Sequence, residues 1–425
     1  MIATSRLVCA VLSSARPGPL LGRSLRPATV RQASSMAAVG MPADSALVAA
    51  GVRDTPAAAA VGDVWDGRVN LYALTEVELR ELLVTEWKQP AFRAKQVSDW
   101  MFAKGVTDFS EMKNLPAAMR EQLSTHARLG SLEKAVTQTS KDGTTKYLFR
   151  CADSREIETV MMPYDDGRRT ACISSQVGCA MRCSFCGTGQ MGFSRDLLAS
   201  EIFEQALRVS NDLKAKGERL SNVVLMGMGE PFRNYDAVMD AVGQLRERLG
   251  IGARHITIST VGIAPMIKRF ADEGLEVKLA VSLHVADDDA RSKLMPVNRR
   301  HNLAELVDAC RYYNEKTNRR ITFEWALISG ENDSVERASE LGRFLRGLKC
   351  HVNLIPLNPT SGFAGQAPPS RSPAANLFVD ELARYGVPAT LRVRRGIDID
   401  AGCGQLANKA LKEKAAAAGR GAVAA

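Results

Sequence analysis

One short segment carries most of the information in this chain. It reads Cys172-Ile-Ser-Ser-Gln-Val-Gly-Cys179-Ala-Met-Arg-Cys183-Ser-Phe-Cys186-Gly-Thr-Gly. Three residues separate Cys179 from Cys183, and two separate Cys183 from Cys186. This spacing lets one compact loop direct three thiolates at a single four-iron cubane, and it leaves the fourth iron without a protein ligand. The segment therefore predicts a [4Fe-4S] cluster with one open iron.

A zinc site is the competing interpretation of the same cysteines. Structural zinc generally takes four ligands from two paired knuckles, and the sequence contains no second Cys-x-x-Cys. Cys172 or Cys151 is a conceivable fourth ligand, so this alternative stays open. Chance clustering of core cysteines is the interpretation that the pattern favours least. We favour the iron–sulfur cluster.

Apolar, β-branched runs alternate with helical segments around and after the cysteines. The predicted strands are Thr145–Arg150, Ile157–Met162, Thr170–Ser174, Asn222–Met226, His255–Ser259, Val277–Leu283, Ile321–Ala326, His351–Ile355 and Ala389–Val393. The predicted helices are Leu197–Lys216, Tyr235–Leu249, Pro265–Glu273, Leu303–Lys316, Ser334–Leu348 and Pro373–Tyr385. The first two strands alternate as an antiparallel pair. The others predict a parallel sheet in an open or closed α/β barrel, with the chemistry on loops at the strands' carboxyl ends.

The residues before this series have a different character. Thr75 precedes an acidic first turn and an apolar stripe, as an N-cap does, and further helices are predicted over Phe92–Lys104 and Ala117–Leu129. We expect the chain to divide into a transit peptide (1–43), a linker (44–68), an all-helical accessory domain (69–131), a catalytic core (132–408) and a disordered tail (409–425).

The first 43 residues are typical of an organellar transit peptide. They contain five arginines and many Ser and Ala, and no acid precedes Asp44. A disordered Ala-rich extension without a targeting role is the alternative. The pattern predicts an organellar protein, with the plastid favoured over the mitochondrion. The location is cytoplasmic if the leader is not a transit peptide.

Charge and cysteine usage restrict the function classes. The formal net charge of +9 falls to +4 without the five leader arginines, so bulk charge is weak evidence for nucleic-acid binding. Local clusters could hold phosphates or form a solvated face; they are Arg291/Lys293/Arg299/Arg300 and Arg392/Arg394/Arg395. No apolar run approaches the roughly 18 residues of a membrane span. Nine cysteines without a secretory signal argue against a disulfide framework.

The cysteine loop resembles the radical S-adenosylmethionine (SAM) signature, and its setting resembles the RlmN/Cfr family of RNA adenine methyltransferases. The resemblance extends from about Leu71 to Leu406. Matching stretches are Phe92–Met101, Cys172–Gly187, Met226–Pro231, Ser282–His284, Arg291–Asn298, Leu354–Pro359 and Gly396–Leu406. The resemblance implies an α/β fold, a partial (β/α)6 radical SAM barrel with a small N-terminal helical accessory domain.

The resemblance also implies roles for individual residues. Cys179, Cys183 and Cys186 would hold the cluster. The SAM pocket would be formed by Gly229, Glu230, Ser259, Ser282, Leu283, His284 and Asn358. Cys403 would be methylated before the RNA, Cys172 would form a transient disulfide with it, and Glu158 would accept a proton. One extra residue, around Gly167–Arg169, separates Glu158 from Cys172 relative to the family pattern.

Carbon 2 of adenine lies between two electron-withdrawing nitrogens and is not a nucleophile, so ordinary displacement on SAM cannot methylate it. The resemblance implies two SAM molecules per turnover. One methylates Cys403, and cleavage of the other yields the radical that activates this methyl group for addition to the base. The implied partners are RNA (ribosomal and also transfer RNA) and a reduced flavodoxin- or ferredoxin-type electron donor. We expect a monomer without a membrane partner.

Two alternative functions remain open from the sequence. One is methylation of carbon 8 of an adenine in ribosomal RNA, which another branch of the family performs. The other is a non-catalytic RNA-binding or assembly factor that keeps the cluster as a structural element. The second would cleave no SAM.

Overall fold

The computed structural model of the chain describes residues 63–358, 360 and 375–406. The predicted transit peptide and disordered tail lie outside these residues. Within them, no helix has both the length and the apolar character needed to cross a membrane.

The first part of the described chain is mainly helical, as predicted, and also contains three short strands. Its elements are β1 (Val64–Trp65), β2 (Arg68–Asn70), α1 (Glu76–Glu81), α2 (Phe92–Ser98), α3 (Ala117–His126) and β3 (Ala127–Arg128). Thr75 caps α1 in a reciprocal capping box with Glu78, which confirms the predicted helix start. β1 and the start of β2 lie where the sequence predicts a linker; β2 pairs in parallel with β3, a long-range contact that local composition does not encode.

A single ten-stranded sheet forms the rest of the fold, in the order β15-β14-β13-β12-β11-β10-β7-β6-β5-β4. Its first members are β4 (Glu133–Thr139), β5 (Thr145–Arg150), β6 (Glu156–Pro163) and β7 (Arg169–Cys172). These four are antiparallel to one another, which confirms the predicted pairing of the second and third. A separate hairpin, β8 (Gln176–Gly178) and β9 (Phe193–Asp196), encloses the cysteine loop.

The remaining strands run parallel to β7. They are β10 (Asn222–Leu225), β11 (Ile256–Thr260), β12 (Lys278–Ser282), β13 (Ile321–Leu327), β14 (Cys350–Pro356) and β15 (Ala389–Leu391). β7 and β10 to β14 supply the six parallel strands of the expected partial barrel, and β15 adds a short seventh. Their carboxyl ends gather at one rim, where α/β folds carry their chemistry.

Helices connect the parallel strands. They are α4 (Gly187–Met191), α5 (Ala199–Lys214), α6 (Tyr235–Leu249), α7 (Ala264–Asp272), α8 (Asp288–Leu294), α9 (Leu303–Thr317), α10 (Val335–Phe344) and α11 (Ala375–Arg384). Each predicted helix between strands is present, with ends shifted by a few residues at most in α5, α6, α7 and α9. Helix periodicity is a strong signal because one apolar stripe packs on the sheet. The fully buried Trp325 packs between β13 and α11 against Phe378.

Candidate active site

Two adjoining cavities open at the carboxyl ends of the parallel strands. The first, the cluster cavity, is lined among others by the three predicted cluster ligands, Glu230 and His284. The second, the thiol cavity, is lined by Cys172, Asn358 and neighbouring residues. Cys186 and Cys403 line both. The structure thus brings a loop after β7 and the C-terminal segment to one place.

The three predicted cluster ligands share the cluster cavity. Burial raises the pKa of the Cys179 thiol to about 12 and that of the Cys183 thiol well above its ordinary value. Buried thiols of this kind stay protonated until a metal displaces the proton. Cys186 precedes the first turn of α4, and a Cβ on Gly189 would lie 3.0 Å from the Cys183 amide nitrogen, so the loop closes tightly on α4.

The arrangement fits a cluster better than a single metal ion. Within the described ranges, no three His, Cys, Asp or Glu side chains converge as ligands of one ion must. A closed zinc site requires four such donors at about 2.0–2.3 Å from the metal. The three cysteines line one cavity, and three thiolates are the donor set of an iron–sulfur cluster with one open iron. We therefore favour the cluster over zinc.

Glu230 ends the turn after β10 and lies in the cluster cavity wall. Its carboxylate accepts hydrogen bonds from the backbone amides of Phe232 (3.0 Å) and Val261 (2.8 Å). A Cβ on Gly227 would lie 2.7 Å from the Ile173 carbonyl oxygen, and Gly229 adopts φ +102° against Gln176. The glycines therefore let this turn pack directly on the start of the cysteine loop.

Burial raises the pKa of Glu230 from 4.5 to about 7, and the surrounding hydrogen bonds only partly offset this. Without SAM, the folded protein keeps a proton that the unfolded chain loses between about pH 4.5 and 7. The free energy of unfolding should therefore fall across this window by up to about 3 kcal/mol as pH rises. Denaturation of the SAM-free protein at several pH values measures this slope.

Glu230→Gln should remove that slope, because the amide does not titrate. The exposed Glu247 of α6 provides the matched control, and Glu247→Gln should leave the slope as in the wild type. An unchanged slope in Glu230→Gln would contradict the assignment of the slope to this carboxyl. The comparison uses slopes because the new amide also loses one acceptor for a backbone N–H.

The other predicted SAM-pocket residues do not all line the same cavity. Ser259, Ser282 and His284 line the cluster cavity. Leu283 is fully buried beside them, but its side chain is not part of the cavity wall. Asn358 lines the thiol cavity instead, where its amide donates to the Cys403 carbonyl oxygen (3.1 Å). Its position lets Asn358 fix the segment that carries Cys403.

His284 is held as a neutral ring. Its Nδ1 accepts a hydrogen bond from the Ala326 amide (2.8 Å), so the ring proton lies on Nε2. Burial, aided by the nearby Arg291 charge, lowers the pKa of His284 to about 3. The ring packs edge-on against Phe185 of the cysteine loop, with centroids 4.7 Å apart. His284 is therefore a hydrogen-bond donor and a wall of the cavity, not an acid.

Cys172 and Cys403 reach the thiol cavity from distant parts of the chain. Cys172 ends β7, and Cys403 lies in the C-terminal segment. Both thiols are free. Burial raises the pKa of Cys172 to about 12. The Gly187 amide donates to the Gly404 carbonyl oxygen (2.7 Å), which ties the Cys403 segment to the cluster loop.

Glu158 occupies a position that the sequence did not suggest. It lies on β6 and forms a buried ion pair with Lys146 of β5, Oε1 to Nζ, at 3.2 Å. Glu158 is not among the residues that line either cavity, although Val160 and Met162, on the same face of β6, line the thiol cavity. Lys146 Nζ also donates to the Asp400 carbonyl oxygen (3.4 Å). Lys146 thus connects Glu158 with the Cys403 segment.

Sequence reasoning missed Lys146. The available signal was a charged residue in an otherwise apolar strand, Thr145–Arg150, but local sequence does not show which face is covered. We expect Lys146→Met to destabilise the protein by about 3–5 kcal/mol, because it leaves the Glu158 carboxylate buried without its cation. Denaturant midpoints measure this loss.

The exposed pair Lys134–Asp212 provides the control for Lys146→Met, because both side chains are about one-third exposed. Lys134→Met should lower the free energy of unfolding by no more than about 1 kcal/mol. The double variant Lys146→Met/Glu158→Leu should recover much of the loss, since it removes both charges. Equal small losses for the two lysine variants would contradict the structural importance of the buried pair.

The predicted phosphate contacts need a correction at two arginines. Arg291 is fully buried and donates to the carbonyl oxygens of Val261, Ser282 and Leu283 and to Asn298 Oδ1. Its charge therefore stabilises strand ends and is not available to RNA. Arg392 points into the cavities. The sequence pattern of basic residues could not separate buried arginines from exposed ones.

Comparisons with known proteins agree with this geometry. Residues 173–341 match the profile of the radical SAM superfamily, and residues 69–129 match that of the ribosomal RNA large subunit methyltransferase N-terminal domain. The chain is 52% identical over 344 residues to the dual-specificity RNA methyltransferase RlmN 1 of Myxococcus xanthus, covering 80% of this chain and 95% of that protein. It is 46% identical to a probable RlmN of Staphylococcus aureus, covering 80% and 93%.

A solved structure is also similar. It is a radical SAM methyltransferase from Sphaerobacter thermophilus, with a TM-score of 0.76 and 48% identity, over 79% of this chain and 98% of that one. The similarity includes the accessory region and the barrel, so it does not rest on the cysteine loop alone.

Proposed function

Since this chain belongs to the RlmN family of radical SAM RNA methyltransferases, we propose that it methylates carbon 2 of adenine in RNA through a methylated Cys403. A [4Fe-4S] cluster and SAM are the cofactors of this enzyme. The substrates are an adenosine of ribosomal RNA and an adenosine of transfer RNA. The relatives named above are called dual-specificity enzymes, which supports two classes of RNA.

One observation carries the proposal: two free thiols from distant parts of the chain line a cavity beside the three cluster cysteines. Cys403 and Cys186 line both cavities, so a carrier sulfur lies next to the cluster loop. A structural cluster would need no such thiol pair. The arrangement supports a carrier that receives a methyl group at one cavity and delivers it at the other.

The cluster and SAM supply the one-electron chemistry that an unreactive carbon–hydrogen bond requires. The chain's own residues divide the remaining work. Cys403 Sγ carries the carbon to the base. By resemblance to the family, Glu158 is the proposed acceptor of the proton that carbon 2 loses; its carboxylate is paired with Lys146 and lies outside the linings of both cavities. Cys172 Sγ, as the thiolate, then attacks Cys403 Sγ and forms a disulfide. The bond from that sulfur to the transferred carbon breaks, the electron pair stays on the carbon, and the carbon takes up a proton to become the methyl group.

The target base must enter a recessed cavity, so we propose that the enzyme takes an adenine that is unpaired or flipped out. Arg394 and Arg395 line the thiol cavity together with Tyr164, and Arg395 Cζ lies 4.6 Å from the centre of the Tyr164 ring. These positive groups are placed to meet the flanking phosphates.

Incubation of the reconstituted protein with RNA, SAM and a strong reductant tests the function. Mass spectrometry of the digested RNA should show 2-methyladenosine. It should show none without reductant. Formation of 8-methyladenosine would establish the carbon-8 alternative. Absence of both 5′-deoxyadenosine and methylated base would establish the non-catalytic factor.

We further propose an organellar location and a flavodoxin- or ferredoxin-type electron donor. The composition of residues 1–43 supports the location. Fusion of these residues to a fluorescent protein tests it, since a transit peptide should carry the fusion into the plastid and a plain extension should leave it in the cytosol.

A further inference from the structure

Arg392 lies at the junction of the two cavities. It follows β15, and its amide donates to the Leu354 carbonyl oxygen (2.8 Å), so its backbone is fixed by the sheet. Its side chain, about one-quarter exposed, lines both cavities. Cys403 lines the same two cavities, and Cys172 lines one of them. A cation is therefore built into the place where the carbon transfer is proposed to occur.

Among the residues that the structure describes, none accepts a hydrogen bond from this guanidinium. Arg392 Nη1 lies 4.0 Å from Glu324 Oε2, which is close enough for an ion pair but too long for a hydrogen bond. Glu324 Oε2 is itself buried and has no hydrogen-bond partner among the described residues, while Oε1 accepts from Asn353 (3.1 Å). By contrast, the neighbouring Arg394 donates to Asn358 Oδ1 at 2.9 Å.

The guanidinium is about one-quarter exposed and faces the cavities, so its N–H groups are available to a ligand that enters and replaces water there. On the proposed function, Cys403 carries a methyl group when the RNA base is bound. Its sulfur is then a thioether and a weak acceptor. The carboxylate of Glu324 keeps the cation oriented without consuming its N–H groups. SAM brings acceptors to the cluster cavity, and the base brings acceptors to the thiol cavity; Arg392 lines both.

We propose that Arg392 recognises the target adenine by donating a hydrogen bond to N1 or N3. The inference rests on the proposed function and follows from the position of the reacting atom. Carbon 2 must meet the carbon carried on Cys403, and N1 and N3 are the two ring atoms bonded to carbon 2. A donor that lines both cavities with Cys403 faces the space that these nitrogens must enter.

This hydrogen bond has a chemical consequence. Donation from a cation to N1 or N3 withdraws electron density from the ring and makes carbon 2 more electrophilic. It also stabilises the negative charge that the ring nitrogens gain when carbon 2 of the adduct loses its proton, as preorganised donors do in other enzymes. Arg392 thus both selects the base and activates its carbon.

Binding measurements with modified RNA test the proposal separately from catalysis. The ligands are RNAs with adenosine, 1-deazaadenosine, 3-deazaadenosine or 7-deazaadenosine at the target position. The proteins, all with the cluster reconstituted, are the wild type, Arg392→Met, Arg392→Lys and the control Arg254→Met. Arg254 is about two-thirds exposed and pairs with Glu276 far from the cavities, so this variant removes one charge only.

The wild type should bind either the 1-deaza or the 3-deaza RNA about 10- to 100-fold more weakly than the adenosine RNA, the range for a hydrogen bond to a charged group. Arg392→Met should bind the adenosine RNA more weakly by the same factor and should not discriminate. Arg392→Lys should retain part of the preference for adenosine RNA over the deaza RNA that binds more weakly. Arg254→Met should retain all of this preference. The 7-deaza RNA should bind as the adenosine RNA in every protein.

Two results would overturn the proposal. One is a lost or unaltered preference: the wild type binds adenosine, 1-deaza and 3-deaza RNA equally, or Arg392→Met prefers adenosine RNA over the deaza RNAs as strongly as the wild type does. The other is loss of Cys403 methylation in Arg392→Met, detected by mass spectrometry of the protein, with discrimination retained. The second would mean that Arg392 serves the thiol. Failure of the proposed function itself is distinguishable, because the wild type would then form no 2-methyladenosine.

Discussion

Cys183→Ala is expected to yield a folded protein that contains no iron–sulfur cluster and cleaves no SAM. Cys183 is buried, lines the cluster cavity, and its backbone packs against Gly189 of α4. Two thiolates cannot hold a cluster that already lacks a fourth protein ligand. Loss of a residue that only orients a metal ligand lowers metal affinity or activity 10- to 100-fold. Loss of a ligand should therefore lower the cluster content and the rate of SAM cleavage at least ~10²-fold. Iron content, visible absorption and the yield of 5′-deoxyadenosine measure the effect.

Cys310→Ala is the matched control for this variant. Cys310 is a buried free cysteine of α9 that lines neither cavity. Its replacement also leaves a small cavity but should retain the cluster. A normal iron content and normal SAM cleavage in Cys183→Ala would exclude the proposed ligand set.

Cys172→Ala should trap the protein on its RNA. Cys403 can still receive a methyl group and deliver the carbon to the base, but no thiol then attacks Cys403 Sγ to release it. We expect free methylated RNA to fall at least ~10²-fold, as when a nucleophile is removed from an enzyme. A protein–RNA adduct should accumulate, detected as RNA that survives denaturing purification with the protein.

Two other cysteine variants make this result specific. Cys403→Ala should give neither adduct nor product, because the carrier itself is missing. Cys350→Ala should behave as the wild type, since Cys350 lies at the amino end of β14, at the opposite rim of the sheet from the cavities. Free 2-methyladenosine at wild-type yield from Cys172→Ala would refute the role of this thiol.

The fold could be predicted from sequence to a large extent, because local periodicity and burial point in the same direction. Helix α6 was predicted at its observed bounds, and β5 likewise. The strand pair β1–β2 was not predicted. Its two-residue and three-residue strands depend on pairing with β3, and segments this short have no periodicity of their own.

The candidate site was less predictable. The cluster cysteines follow from spacing because three ligands on one short loop must be close in space. Arg291 and Arg392 have the same charge and similar settings after strands. One is buried among carbonyl oxygens, and the other faces a cavity. Composition does not distinguish these cases, because burial depends on which distant element covers the side chain.

The sequence by itself determined the alternation of strands and helices, the cysteine loop and, through resemblance, the family. Each of these depends on residues near one another in the chain. The resemblance also implied that Cys403 acts with Cys172. Only the tertiary structure decided that these two residues line one cavity, that Lys146 pairs with Glu158, and that Arg392 lines both cavities. These depend on the path of the C-terminal segment. Contacts with remote elements fix that path, such as Asp398 with Ser140 (2.5 Å) and the Leu406 carbonyl with Thr188 (2.6 Å). No local pattern encodes contacts of this kind.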